Sequence, residues 1–522
     1  MYDIIIKGGR VIDGMLTPEY ISDIAIKDGK IVKIAQGLSG AKREINASGL
    51  TVTPGFFDSH GHSDSTILTY PGQKEKVEQG ITTAIGGMCG GSVAPRPYIP
   101  QSKAVPVGEL GLNTDIYYSM ESFMAAAKNV AQGANIAVFA GHGNLRRAVL
   151  GYENREPSEA ELERMKDMLR ESIEHGAMGL SLGLIYTPGC FAKTDELIAL
   201  ARVAAEKGAL VSAHIRGEAD ELLEAVDEFI SIIRASGARG ILSHHKAAGK
   251  ANHGKVKETL RKIDEANEQG ADIYCDVYPY TASCTGIAAR LVPKEYHADG
   301  MLRKNLASPT VREEIKRINE ERFKLQGNDL SWVLVSKCNG YPEYIGLTMD
   351  EAAKKHGKDA YETAFDMIEH STETEAVYFL MCEDDVERVL SHPRSMVCTD
   401  SGVAGKRKPS HPRAVGSFPR VLGRYVRERG VTSLPEMIRK MTSLPAHVYG
   451  FESKGSLKEG LDADICIFDA DTITDRADYN DTSARAEGLH FVLVGGEIVV
   501  ENSVYNGKRC GRVLMPLCNQ ED

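Results

Sequence analysis

Between residues 81 and 278, short and continuously apolar segments alternate with amphipathic ones, and few folds accept that alternation. "ITTAIGG" (81–87), "NIAVFAG" (135–141), "AMGLSLG" (177–183), "ALVSAHI" (209–215), "GILSHHK" (240–246) and "ADIYCDVY" (271–278) are strand candidates. Between two of them, "PSEAELERMKDMLRESIEHG" sets Leu162, Met165, Leu169 and Ile173 at three- and four-residue steps, with Pro157 near its start and Gly176 after its end. Those are the marks of an amphipathic helix and its boundaries. Strands apolar throughout must be covered on both faces, so their alternation with helices implies a parallel sheet. Roughly eight such units, closed by "MVCTD" (396–400), fit an α/β fold with a (β/α)8 TIM-type barrel. A doubly wound open sheet is the alternative, but no GxGxxG phosphate loop supports it.

The two ends differ from the middle. "DIIIKGGRVIDG" around Gly8-Gly9 and "DIAIKDGKIVKIA" around Asp28-Gly29 each read as a hairpin. "ADICIFD" (463–469) and "HFVLVGGEIVVEN" around Gly495-Gly496 have the same character. A small β-sandwich formed by both termini, residues 1–53 and 447–522, is therefore expected, with the barrel occupying 54–446. Residues 281–380 are too long for one crossover and hold a charged helical run near 310–324 and a strand-like "SWVLVS" (331–336). An insertion at about 286–370, serving as a lid over the barrel mouth, accounts for them.

Composition excludes several classes. The chain has 522 residues, 42% hydrophobic and 26% charged, as expected of a large soluble enzyme. A formal charge of −11 argues against a nucleic acid or an anionic membrane as partner. No apolar run reaches the roughly 18 residues of a membrane span. Asp3, Lys7 and Arg10 interrupt the start, against a signal peptide. Ten cysteines without paired spacing fit reduced thiols in a cytoplasmic protein, and a homo-oligomer is compatible with all of this.

Barrels of this kind carry their functional groups at the C-terminal strand ends. In "GFFDSHGHSD", His60 and His62 follow the first strand and share one face of an extended chain. Cys89 in "GGMCGG" follows the second strand, His214 in "VSAHIRGE" the fifth, His244 in "LSHHK" the sixth and Asp400 in "VCTDSG" the last. Thiolate and imidazole together are a zinc-type donor set. Alternation sends either His244 or His245 into the barrel and the other against a helix; the residues alone leave that choice open. Cys89 also reads as a small buried residue, and Asp400, before Ser401-Gly402, as a helix cap. His142 in "GHGNLR" is expected to line the pocket.

"TPGFFDSHGHSD" and the tail "MTSLPAHVYGFESKGSLKEGLDADICIFD" resemble the amidohydrolase superfamily. "MCGGSVAP", "AHIRGE", "LSHHKAAG", "DVYPYTAS", "CTDSG" and "GSFPRVLGRYVRE" are similar to its N-acyl-D-amino-acid deacylase (D-aminoacylase) branch, over about residues 2 to 500. The resemblance implies zinc held by Cys89, His214 and His244, with His60 and His62 completing a second, weaker site that shares Cys89. It favours His244 over His245, makes Asp400 the general base, and gives Lys246, Tyr278 and Arg290 to the substrate's carboxylate. The substrate it implies is a small N-acyl-D-amino acid, hydrolysed to a carboxylic acid and a free D-amino acid. The chain departs from the branch at Met88, where an asparagine is usual, and through the insertion. The alternatives are a hydantoinase- or dihydroorotase-like enzyme acting on a cyclic amide, which would need a bridging lysine, and a non-catalytic barrel scaffold.

Overall fold

The computed structural model describes residues 1–96 and 117–516. The chain opens with β1 (Tyr2–Val11), β2 (Tyr20–Lys27), β3 (Lys30–Ala35), β4 (Ala41–Asn46) and β5 (Thr51–Pro54). Next come β6 (Phe56–Asp58), β7 (Ile81–Gly86), β8 (Asn135–Val138), β9 (Ala140–Gly141), β10 (Gly179–Gly183), β11 (Leu210–His214), β12 (Arg239–Leu242) and β13 (Ile273–Val277). After these lie β14 (Ser283–Gly286), β15 (Val333–Cys338), β16 (Thr374–Tyr378), β17 (Ser395–Val397), β18 (Ile465–Phe468), β19 (Leu489–Val494), β20 (Glu497–Glu501) and β21 (Val504–Tyr505).

Parallel pairing joins β6, β7 and β8 in one run and β9, β10, β11, β12, β13 and β17 in another. Only Phe139 separates β8 from β9, so the two runs are one eight-stranded ring. It closes between β17 and β6 through a parallel bridge of Gly61 with Ser401. There the His62 N–H donates to the Ser401 carbonyl (3.1 Å) and the Asp400 N–H to the His60 carbonyl (2.9 Å). The seam of the barrel is thus made from the backbone of three candidate site residues.

Every residue of β7, β10, β11 and β13 is buried, because helices cover the outside and side chains fill the inside. Phe57, Ile85, Phe139, Ile241 and Met396 share an inner cluster with Tyr449 and Phe451, while Phe56, Ala84, Val138, Leu242 and Val397 belong to the outer core. Strand alternation makes that division. Tyr449 stacks on Phe57 with ring centroids 5.5 Å apart and donates its hydroxyl to the Ser59 carbonyl (2.6 Å). An aromatic pair of this kind adds about 0.5–1.5 kcal/mol beyond its buried area. The helix Glu159–Glu174 carries the expected stripe, with Met165, Leu169 and Ile173 buried, and begins at a Ser158/Glu161 capping box that satisfies its first N–H groups.

A buried ion pair reinforces the seam. The Lys76 ammonium donates to Asp58 Oδ2 (2.7 Å), Thr399 Oγ1 (2.7 Å) and the Ser401 carbonyl (2.8 Å), and both charged side chains are 0% exposed. Asp58 also accepts from the Thr399 N–H (2.8 Å) and hydroxyl (2.8 Å). Lys76→Met leaves that carboxylate buried without its cation, and we expect a loss of about 3–5 kcal/mol in denaturant unfolding. The double variant Asp58→Leu/Lys76→Met should lose less than the single one.

Strands from both ends form one mixed sheet in the order β21-β20-β19-β18-β5-β1-β2-β3, with β4 also on β1. The hairpin expected around Gly8-Gly9 does not form. β1 runs through both glycines and pairs with β2 across a register shift between Ile6 and Gly9. Gly8 takes φ +64°, and a Cβ on Gly9 would lie 2.4 Å from Val52 Cγ2, so these glycines serve a bulge and a close approach. The bulge lets one edge of β1 serve β4 up to Lys7 and β5 from Arg10 onwards. Hairpins do form at Asp28-Gly29 and Gly495-Gly496.

The insertion has its own core around Trp332, Tyr361 and Phe365, and an antiparallel sheet ordered β14-β16-β15. Because β14 pairs with β16, that sheet reaches from Ser283 to Tyr378, beyond the expected 286–370 at both ends. A cavity of about 1110 Å³ separates it from the barrel rim, lined among others by Tyr186, Glu218, Arg290, Lys337 and Glu375.

Candidate metal and catalytic centre

The rim of the barrel gathers the strand-end residues into one cluster, with His60, His214, His244 and Asp400 buried and His62 and Cys89 half-buried. Cys89 Sγ lies 3.3 Å from His60 Nε2 and 3.3 Å from His244 Nε2. The His214 and His244 ring centroids are 4.4 Å apart, those of His60 and His244 4.9 Å. His62 Nε2 meets Asp400 Oδ1 at 3.1 Å, and His60 Nε2 is 3.6 Å from the same oxygen. Donor atoms of His60, Cys89, His244 and Asp400 all lie within 4.8 Å of one another, as do those of His214, Glu218 and His244.

Backbone conformation aims these groups. Cys89 (φ +54°), His244 (φ +36°) and Asp400 (φ +47°) all occupy the left-handed region, which costs of order 1–3 kcal/mol each for such residues. Surrounding contacts impose it. The Gly90 N–H donates to Ser181 Oγ (3.0 Å), the His244 N–H to Asp276 Oδ1 (2.6 Å), and the Asp400 N–H to His60. A Cβ on Gly183 would stand 1.9 Å from the Cys89 carbonyl, so only glycine lets the turn carrying Cys89 come this close.

The electrostatics favour a cation. Burial alone would push the Cys89 thiol up, yet the charges of His60 and His244, both within 3.3 Å of its sulfur, hold it well below the usual thiol range. Burial likewise opposes charge on His60 and His62. Cys89 and Asp276 nonetheless hold His60 well above the usual imidazole range, and Asp400 with Cys89 raises His62 to about 9. Thiolate and carboxylate thus create a field that draws protons onto His60 and His62, whereas burial keeps His214 below the usual imidazole range; the same field would hold a metal ion. Both nitrogens of His214 and Nδ1 of His60 are buried without a hydrogen-bond partner among the described residues. Orphaned imidazole nitrogens beside a thiolate fit a zinc-type ion and leave its place as the account of what they face.

Asp400 caps no helix; the next one starts at Arg413. Burial would raise its carboxyl, but Arg413, His244 and His62 hold it well below the usual carboxylate range. His244 faces Cys89, whereas His245 turns to Thr259 Oγ1 (2.7 Å) on the covering helix, where burial and Lys246 push it down to about 3. Lys246 places its ammonium between the Glu218 carboxylate and His244 Nδ1 (2.8 Å). Tyr278 is buried, its hydroxyl 3.5 Å from Met381 Sδ. Arg290 lines the cavity, its Nε without a partner among the described residues. His142, expected on the pocket wall, is instead fully buried with Nε2 2.8 Å from Glu196.

Sequence reasoning misses four groups. Glu218 Oε1 sits 3.2 Å from His244 Nδ1 and 3.7 Å from His214 Nε2, and the charges of Lys246 and His214 outweigh its burial to keep it ionised. Asp276 Oδ1 lies 3.7 Å from His60 Nδ1. Such carboxylates fix the ring orientation of a ligating histidine. Both stand at or just beyond strand ends, so the rule that finds His214 and His244 also reaches them. Tyr186 packs on His214 (5.1 Å) and meets Thr285 Oγ1 of β14 at 3.1 Å, joining the rim to the insertion. Arg413 reaches Asp400, and no local signal announces it.

The model of the Amidohydrolase family matches residues 43–218 and 386–500. N-acyl-D-glutamate deacylase of Alcaligenes xylosoxydans xylosoxydans is 37% identical over 98% of this chain and 96% of its own length. D-aminoacylase of the same organism is 31% identical over 98% and 97%. Among solved structures, N-acyl-D-glutamate deacylase from Bordetella bronchiseptica, complexed with zinc and a phosphonate mimic of the tetrahedral intermediate, superimposes with a TM-score of 0.83. It is 35% identical, covering 98% of this chain and 99% of that one.

Proposed function

The chain belongs to the amidohydrolase family, and from that premise we propose that it is a zinc-dependent hydrolase of N-acyl-D-amino acids, releasing a carboxylic acid and a free D-amino acid. The observation that carries the reading is the thiolate, four imidazoles and one carboxylate gathered at the barrel rim, beside a cavity lined by Tyr186, Glu218 and Arg290, whose Nε has no partner among the described residues. Cys89, His214 and His244 would hold the metal, and His60 and His62, sharing Cys89, a second and weaker site. Zinc bound there supplies polarisation of the scissile carbonyl and lowers the pKa of water from about 15.7 towards 7.

The remaining work falls to the chain. Asp400, kept ionised by Arg413 and the histidines, accepts the proton of the attacking water and later delivers it to the leaving amine. Glu218 and Asp276 steady the rings of His244, His214 and His60. Lys246, Tyr278 and Arg290 serve the substrate's α-carboxylate. Of these Arg290 is the group open to the cavity, and a guanidinium suits a carboxylate bidentately. The insertion acts as the lid that excludes water while this happens. Nine unpaired cysteines among the described residues, and no helix there long and apolar enough to cross a membrane, support a cytoplasmic setting.

The test is a hydrolysis screen of N-acetyl amino acids in both enantiomeric forms, with zinc content measured on the same preparation. Turnover of D-substrates and stoichiometric zinc are expected. Turnover confined to hydantoins or dihydropyrimidines would replace this reading with the cyclic-amide one, and a chain free of zinc and without turnover would make it a scaffold.

A further inference from the structure

The cavity between the insertion and the barrel rim has walls of opposite charge that do not touch. On the barrel side, Glu221 stands just before the helix Leu222–Ser236 and Glu224 lies in its first turn, both exposed. On the insertion side stand Arg290, Lys294 and Arg322, the last residue of the helix Pro309–Arg322. None of these five side chains has an ion pair among the described residues. Other charges of the cavity are already matched: Glu228 by Arg216 (2.9 Å), Glu218 by Lys246, and Lys337 by Glu373 and Glu375 (3.5 Å each). Glu295 adjoins Lys294 and offsets part of its charge, which leaves Arg290 and Arg322 as the cations of that wall. Arg322 Nη1 lies 3.5 Å from the Arg290 carbonyl, with the guanidinium 5.1 Å over the Phe323 ring. Partial burial and the charge of Arg290 push Arg322 below the usual guanidinium range, and the carboxylates that oppose them are Glu221 and Asp220. Asp220 already accepts from Asn252 (2.8 Å), so Glu221 is the carboxylate free to meet Arg322.

We propose that Arg322 and Glu221 are the latch of the insertion, apart in this open cavity and joined when it closes over substrate. This rests on the deacylase reading, in which Arg290 receives a carboxylate, and deepens it. Closing the empty cavity would desolvate Arg290 and Arg322 together, and like charges repel more strongly as the local dielectric falls. A carboxylate on Arg290 removes that penalty. Arg322 then finds Glu221, and closure buries two ion pairs where the empty enzyme would bury two cations. The anionic substrate thus interacts better with the closed state, which is what a ligand must do to shift a conformational equilibrium. The insertion is tied down elsewhere: Thr285 Oγ1 meets the Tyr186 hydroxyl at 3.1 Å, and Ser410 Oγ donates to Glu375 Oε2 (2.8 Å). Among the described residues no hydrogen bond joins the helix Leu222–Ser236 to the insertion, so this is the side free to move.

The test is a double-mutant cycle of Glu221→Gln, Arg322→Gln and the two combined, measured as kcat/KM on the best N-acyl-D-amino acid from the screen. Zinc content and thermal melting are recorded without substrate. Each single variant should lose about tenfold, within the range of conformational coupling, and the double variant no more than either. Zinc and melting should not change, because the pair is absent from the free enzyme. The chain's single tryptophan, Trp332, supplies a direct readout, since it lies in the insertion core 4.9 Å from the Phe323 ring that Arg322 covers. In Asp400→Asn, which holds substrate uncleaved, substrate should change the Trp332 emission, and adding either latch substitution should largely abolish that change. Losses that multiply in the double variant, single variants with full kcat/KM, or an emission change indifferent to the substitutions would overturn the latch. So would a lower melting temperature for either variant without substrate, because the pair would then exist already. A loss confined to Arg322→Gln and to substrates with acidic side chains would make Arg322 a substrate contact instead. An unaltered enzyme that cleaves no N-acyl-D-amino acid would be a failure of the deacylase reading; the cycle, run on whatever amide it does cleave, would still decide the latch.

Discussion

Cys89→Ala is expected to reduce the zinc content from stoichiometric to a small fraction and turnover by on the order of 10⁴-fold or more. The magnitude follows from what the metal supplies, since water near its bulk pKa of about 15.7 is a poor nucleophile at neutral pH. The loss should exceed that from any one imidazole because Cys89 is central: His60 and His244 approach its sulfur to 3.3 Å from two sides, and both proposed sites share it. It is also the anionic donor among imidazoles. Without it His60 and His244 lose an attraction that stabilises positive charge against complete burial. The fold should survive, since alanine is smaller and the left-handed turn is imposed by Gly90, Ser181 and Gly183 rather than by the thiol. Metal analysis checks this, and cobalt substitution adds a second reading: the sulfur-to-cobalt charge-transfer band of the unaltered protein should be missing. A variant that kept stoichiometric metal and normal turnover would remove Cys89 from the centre.

The parts of this site legible in the sequence are those governed by local or periodic rules. Strands apolar throughout announce a covered parallel sheet, and a closed sheet brings all its strand ends to one rim. Six residues from five strand ends could therefore be grouped without coordinates. The same local rules mislead at Gly8-Gly9. Two glycines between apolar runs read as a turn, but here one carries the positive φ of a bulge and the other makes room for Val52. What stays hidden is made by tertiary return. Arg413 meets Asp400 only because the loop after β17 folds back over Tyr278, and a lone arginine in a loop has no period to betray it. Lys76 looks like an ordinary helical surface charge, yet it is fully buried at the barrel seam. Even the two rim histidines conceal a division of labour. Equivalent by spacing, they end with rings 75° apart, His60 on Cys89 and His62 on Asp400.

Asp400→Asn should keep its zinc and lose about 10³-fold in kcat, within the range general-base groups contribute. Asparagine preserves the shape of the side chain and can still face His62, but it has no lone pair basic enough to take a proton from water. Retained metal with lost turnover is the pattern that separates a base from a ligand; loss of both would make Asp400 chiefly a ligand. The native carboxyl adds a pH expectation. Because Arg413 and the histidines hold it well below the usual carboxylate range against its burial, Asp400 stays ionised as pH falls through 6 and 5. The imidazoles behave oppositely. His60 is held well above the usual imidazole range and His62 near 9, so both take up protons early on acidification and compete with the metal for the same lone pairs. Acid inactivation should therefore track zinc release rather than protonation of the base. Excess zinc in the assay is expected to move the acid limb of kcat/KM to lower pH, and the zinc released, followed with a chelating dye, should titrate along the same curve. An acid limb indifferent to added zinc would instead assign that limb to Asp400 itself, with a pKa far higher than its ion pair with Arg413 allows.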